Sequence, residues 1–157
     1  MEYAKEGMYV GPSAHGLGVF SLRAFRRDEL IGPIEGTVME EPGYESQYCM
    51  EVDHVVMEPV APFRYLNHSC RPNCALVELV VNFADGTADV TKLWLETLTE
   101  IAAGEEMTIE YNWSAEAAIP CGCGSPNCRG WIVAAEEQEK IEDNKREGGQ
   151  EGNGPLL

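Results

Sequence analysis

Before residue 131 the chain shows no sustained helical periodicity; its apolar residues come in short runs cut by glycine, proline and aspartate. That pattern leaves no strand–helix alternation of the kind a Rossmann-like sheet needs, and it predicts a mostly β domain with short helical or 3₁₀ turns. Gly16 to Phe20 leads into Leu22 and Phe25, and residues 30–34 and 36–39 are two further short runs. Residues 48–52 and 55–57 read as strands joined through Asp53-His54. Residues 76–83 and 88–95 form a hairpin around Asp85-Gly86, and residues 107–111 make a strand that ends on Tyr111. Only residues 131–145 carry helical spacing, and the polar, Gly-rich stretch from Gly148 onward is predicted to be disordered.

A length of 157 residues fits one domain, and 44% hydrophobic residues supply a core for it. No apolar run approaches the roughly 18 residues that span a bilayer. The first ten residues mix Glu and Lys without the apolar stretch of a signal peptide, so the expectation is a soluble, intracellular protein, cytoplasmic or nuclear and not secreted. The 27 acids against 11 Lys and Arg give a net charge of −16, and residues 134–157 account for only −4 of it. Such a field repels nucleic acid and anionic membranes and attracts cations. The predicted partner is therefore a basic, Lys/Arg-rich protein or peptide, with no direct nucleic-acid binding and no membrane. The same charge also serves solubility.

Four motifs carry chemistry. Gly16-Leu17-Gly18 precedes an apolar strand, where missing Cβ atoms let backbone approach a ligand, although a Gly-x-Gly alone is often an ordinary turn. Arg64 to Cys74, reading Arg-Tyr-Leu-Asn-His-Ser-Cys-Arg-Pro-Asn-Cys, packs polar and ring-bearing side chains into a segment with little core-forming character. Gly104-Glu105-Glu106 turns into the strand that ends on Tyr111. Last come Cys121, Cys123 and Cys128, three of the six cysteines within eight residues and followed by Trp131. Inside a cell that density points to a metal, and three thiolates fall one short of a closed zinc site.

In this order and spacing the motifs resemble the SET domain of protein lysine methyltransferases with its post-SET extension, over nearly all of residues 7–131. The resemblance implies a SET domain at 7–113, a post-SET segment at 119–133 and an acidic, disordered tail at 134–157. It also implies a SET-type fold of small curved β-sheets, in which the Asn67–Cys70 segment and the one ending at Tyr111 meet at a knot-like crossing. The implied cofactor is S-adenosylmethionine, its methionine end held by Gly16, Leu17, Gly18 and Asn67. Arg64 and Tyr65 stand where cofactor contacts are common, His68 pairs by its backbone with the adenine, and Trp131 packs over it. Tyr111 corresponds to the catalytic tyrosine, and Tyr48 to an aromatic of the lysine channel. Cys70 would complete a structural zinc with Cys121, Cys123 and Cys128, with Cys74 as the second candidate. Cys49 reads as a small core residue, and His15 and His54 as loop residues.

Several positions depart from the family's usual pattern. Ile109 and Ile34 stand where aromatics are common, Glu110 replaces an Asp, and no cysteine-rich segment precedes Gly7. These departures bear on methylation state and substrate fit more than on cofactor binding. The rival reading is a catalytically weak or inactive SET-like module that binds basic peptides. Loss of Asn67 or Tyr111 would favour it, and both are present.

Overall fold

The computed structural model describes residues 4–5, 7–86 and 90–141. The tail from residue 142 and Ala88 and Asp89 of the expected hairpin lie outside the described residues. Two compact units emerge: Met1–Asn67 with Pro72–Ile109, and His68–Arg71 with Glu110–Leu157.

Strands of the first unit are β1 (Ala4–Lys5), β2 (Met8–Ser13), β3 (Gly16–Ser21), β4 (Leu30–Pro33), β5 (Gly36–Val38), β6 (Met50–Val52) and β7 (Val55–Pro59). They continue with β8 (Asn67–His68), where the chain leaves the unit, and then β9 (Cys74–Val81), β10 (Val90–Thr97) and β11 (Glu106–Ile109). Three small sheets result, in the orders β1-β2-β3-β11-β8, β4-β10-β9 and β5-β7-β6.

Alternation explains the strands. In β11, Met107 and Ile109 are buried while Glu106 and Thr108 are half-buried, and in β10 Leu93, Leu95 and Thr97 point inward between Trp94 and Glu96. Met8, Val10, Val19, Phe63, Leu95, Ile101 and Met107 are at most 1% exposed and form the core of this unit. Each contributes on the order of 2 kcal/mol by leaving water.

The Asp53-His54 turn between β6 and β7 has positive φ at both residues, 47° and 61°, the conformation of a two-residue hairpin turn that matches strand twist. The hairpin of β9 and β10 pairs in continuous register from Cys74↔Thr97 to Val81↔Val90.

The second unit is small: β12 (Ile119–Pro120) pairs with β13 (Trp131–Ile132), with 3₁₀ turns at Ala115–Ala117 and Ala135–Glu137. Two expectations are corrected. Strand β11 stops at Ile109, so Tyr111 follows the strand instead of ending it, and Asn112 turns the chain with φ 52°. Residues 131–145 do not begin as a helix: Trp131 and Ile132 are strand, the 3₁₀ turn starts at Ala135, and α-helical turns start only at Gln138. A distant partner, Ile119–Pro120, outcompetes the local acidic periodicity. Among the described residues no helix is long and apolar enough to cross a membrane.

Candidate active site and metal centre

In the first unit the two-residue turn of the β2–β3 hairpin delivers Gly16, Leu17 and Gly18 beside Asn67. The hairpin pairs Ser13 with Gly16, and Gly16 takes φ +94° with nothing within 4 Å of where a Cβ would stand. Gly18 is the opposite case: a Cβ there would lie 2.4 Å from Glu106 Oε1, 3.0 Å from Ser13 Cβ and 3.2 Å from Asn67 Nδ2. That close approach leaves three acceptors within reach of one amide nitrogen. Asn67 Nδ2 lies 2.9 Å from Glu106 Oε1, 3.0 Å from the Leu17 carbonyl and 3.2 Å from Ser13 Oγ. Two amide hydrogens cannot fill three acceptors, so this corner is acceptor-rich and suited to a ligand ammonium.

Sequence reasoning missed Glu106, Ser13 and Asn73. The Asn73 amide donates to the Glu106 carbonyl at 2.8 Å and its Oδ1 accepts the Thr108 N–H at 2.9 Å, extending the bonding along β11. The Gly-Glu-Glu and Pro-Asn motifs held the signal for Glu106 and Asn73.

Tyr48 is half-buried, in a loop tied down by Ser46 and Glu58. Ser46 Oγ accepts the Tyr48 and Cys49 N–H groups at 3.1 and 3.0 Å and donates to Glu58 Oε2 at 2.6 Å, and Tyr44 donates to the same oxygen. That bond to Glu58, with burial and the carboxylate's charge behind it, raises the Tyr44 pKa. The Arg64 guanidinium stacks over Tyr48 at 4.4 Å and reaches Tyr65 at 5.7 Å, so these three predicted residues are together.

In the second unit the two predicted segments meet. The Tyr111 N–H donates to His68 Nδ1 at 3.2 Å, and the Tyr111 ring is flanked by His68, centroids 5.4 Å apart, and by Trp113 at 5.2 Å. Trp113 was not singled out from sequence; its position two residues past Tyr111 was the available clue. Burial pushes the His68 imidazole below its ordinary pKa, with the Glu110 carboxylate pulling the other way and Arg129 adding to the fall. Arg129 engages Glu110 at 2.5 Å and the Val133 carbonyl at 2.9 Å. Trp131 sits half-buried on β13, opposite Pro120.

The sulfurs of Cys70, Cys121, Cys123 and Cys128 all lie within 4.8 Å of one another. Cys74, the second candidate, is elsewhere, fully buried on β9, where burial pushes its thiol up to about 12. Cys49 is no closed core residue; its thiol donates to the Ser46 carbonyl at 3.2 Å.

A family model, the SET domain, matches residues 16–112. The chain belongs to the SET domain family. The Drosophila melanogaster protein named histone-lysine N-methyltransferase trr is 32% identical over 135 residues, 74% of this SET protein and 5% of that one. A Schizosaccharomyces pombe histone-lysine N-methyltransferase, H3 lysine-4 specific, is 27% identical over 82% of this chain and 15% of its own length. Human histone-lysine N-methyltransferase 2D is 29% identical over 82% of this chain and 2% of its own. The chain thus spans between 2% and 15% of these relatives. Among solved structures, KRYPTONITE in complex with mCHH DNA, an H3(1-15) peptide and SAH superposes with a TM-score of 0.67 at 21% identity, over 80% of this chain and 29% of that one. That likeness is one of fold.

Cys121, Cys123, Cys128 and Trp131 lie beyond the matched span of the SET domain, so the metal centre rests on geometry. Four thiolates around a tetrahedral zinc with Zn–S bonds near 2.3 Å stand about 3.8 Å apart, and Cys70 Sγ and Cys121 Sγ are 3.8 Å apart here. The four residues fit zinc. Backbone N–H groups complete the surroundings: Arg129 N lies 3.4 Å from Cys70 Sγ, and Gly130 N 3.4 Å from Cys128 Sγ.

Proposed function

We propose that this SET domain transfers methyl groups from S-adenosylmethionine to the ε-amine of a lysine in a basic protein, histone-like or another of that charge. The observation that carries the reading is the setting of Tyr111, its backbone fixed by His68 and its ring flanked by two aromatic side chains. The family match and the names of the relatives support the same chemistry. In this reading residues 7–113 are the SET portion, 119–133 the zinc-bearing post-SET segment and 134–157 an acidic tail. The protein works inside the cell, in cytoplasm or nucleus, without contacting nucleic acid directly.

When bound, the cofactor supplies an electrophilic methyl group on a sulfonium. Gly16, Leu17, Gly18 and Asn67 hold its methionine end, where the acceptors of Ser13, Leu17 and Glu106 suit the ammonium. Arg64 and Tyr65 add contacts, and His68 through its backbone and Trp131 through its ring take the adenine. Tyr48 and Tyr111 line the lysine's path.

A lysine of pKa near 10.4 is neutral in roughly one molecule in 2,500 at pH 7. Aromatic walls that exclude water lower that pKa by disfavouring the ammonium. His68 is no general base here, since it is buried and its Nδ1 already accepts the Tyr111 N–H. Deprotonation therefore precedes docking or passes through water. Tyr111 aligns the amine, and Cys70, Cys121, Cys123 and Cys128 would hold a structural zinc that fixes the segment around it.

The test is transfer of labelled methyl groups from S-adenosylmethionine to histones and to a ribosomal-protein fraction, beside Tyr111→Phe. Labelled lysine that falls by about 100-fold or more in the variant, the cost of losing one positioned hydroxyl in a reaction site, is the expected result. Neither transfer nor cofactor binding in zinc-replete protein would turn the reading to an inactive peptide-binding module.

A further inference from the structure

The His68 side chain touches two things at once, and their chemistry fixes its state. A backbone N–H can only donate, so the Tyr111 N–H at 3.2 Å requires a bare lone pair on His68 Nδ1. A neutral imidazole with a bare Nδ1 carries its proton on Nε2, and Nε2 lies 3.4 Å from Cys70 Sγ. The proton therefore points at the sulfur.

Among the described residues Glu110 could draw a proton to Nδ1 instead, with Oε1 3.8 Å away, and that same oxygen is engaged by Arg129 at 2.5 Å. The His68 side chain is 2% exposed, which shelters both nitrogens from bulk solvent. Cys70 Sγ receives a second N–H from the Arg129 backbone, which leaves its third lone pair for the metal.

From these contacts we propose that the His68 imidazole is a positioning residue that links the metal centre to Tyr111: Nε2–H bonds the Cys70 thiolate and Nδ1 fixes the Tyr111 backbone. Metal occupancy and the placement of Tyr111 are thereby coupled through one ring. This role is separate from the backbone contact with adenine, and it rests on the zinc reading of the four cysteines.

Two substitutions in the full chain separate the halves of the contact. His68→Asn keeps an amide oxygen near the position of Nδ1 and cannot reach Cys70, whereas His68→Gln extends an N–H toward Cys70 and loses the short acceptor. Zinc affinity is read by competition with a chromophoric chelator, and the Tyr111 amide by its proton–nitrogen resonance. His68→Asn should bind zinc about 10-fold or more weakly, the usual cost of losing a partner of a metal ligand, with the Tyr111 resonance kept. His68→Gln should show the reverse.

In the wild-type protein, nitrogen spectra should show Nδ1 bare and Nε2 protonated. Cadmium in place of zinc should give a coupling between the metal and the Nε2 proton across the N–H···S bond. Equal zinc affinity in His68→Asn and wild type, both readouts falling together in both variants, a protonated Nδ1, or no zinc binding by the wild type would each overturn the proposal. Intact zinc affinity and tautomer in a protein that transfers no methyl groups would leave this link standing and sink the enzymatic reading instead.

Discussion

Gly18 and Gly16 look alike in sequence and do different work. At Gly18 the constraint is space, because a Cβ would meet Glu106 Oε1 at 2.4 Å and Asn67 Nδ2 at 3.2 Å. Glu106 Oε1 is the free end of a flexible side chain and can swing away, so Gly18→Ala should leave folding within about 1 kcal/mol of wild type. What it breaks is the acceptor corner, and S-adenosylmethionine should bind about 10-fold more weakly by calorimetry, the equivalent of about 1.4 kcal/mol. At Gly16 the constraint is backbone, since φ +94° strains any L side chain although the space is open. Gly16→Ala should lower the unfolding free energy in urea by about 1–2 kcal/mol. A Gly18→Ala protein that binds cofactor normally would remove the Asn67–Glu106 corner from the proposed cofactor site. The sequence pointed to both glycines but not to the difference, which lies in φ at one and a side chain some ninety residues away at the other.

Sequence pattern read the strands well where the information was local and poorly where it was not. The β6–β7 hairpin followed from Asp53-His54 and the core-facing half of β11 from alternation, whereas β13 needed Ile119–Pro120 and could not be seen in residues 131–145 alone. Grouping of Cys70 with the distant trio came from family resemblance, and the sulfur geometry agrees with it. The cysteine segment also makes a prediction about pH. Burial pushes Cys121 to about 12 and raises Cys70. At Cys123 burial opposes the thiolate, but hydrogen bonds from the Cys70 and Ser125 backbones outweigh it and bring the group to about 6. At pH 7 without metal, Cys123 is mainly thiolate while Cys70 and Cys121 keep their protons. Zinc takes thiolates, so these two must lose protons on binding and affinity rises with pH. Two protons correspond to about 100-fold tighter binding per pH unit near neutrality. Calorimetry in buffers of different ionisation heat should count at least two protons released; a count of zero would mean the thiols are already ionised and the sulfur environment is not as described.

A net charge of −16 is a property of the molecule, yet it is unevenly spread along the chain. Between Asp28 and Arg64 there is no Lys or Arg, and residues 40–58 carry six acids around Tyr48. Glu40, Glu41, Glu45, Glu51 and Asp53 are exposed, while Glu58 is half-buried and occupied with Ser46 and Tyr44. The loop that presents the proposed channel aromatic is therefore flanked by exposed carboxylates. A negative field there raises the local concentration of a basic substrate but also favours the ammonium over the reactive amine. The two effects separate by solvation. Exposed carboxylates act on docking through solvent, where salt screens them, and not on a desolvated amine at Tyr111. Raising salt from 0.1 to 1 M shortens the screening length from about 10 to about 3 Å. KM for a Lys/Arg-rich peptide should then climb about 10-fold with kcat little changed, while a peptide with one lysine and no other charge should show a flat profile. Glu40→Gln, Glu41→Gln and Glu45→Gln together should reproduce the high-salt KM at low salt and leave cofactor affinity unaltered. If KM ignores both salt and the triple substitution, the charge serves solubility alone, and substrate choice must come from apolar contacts along the lysine's path.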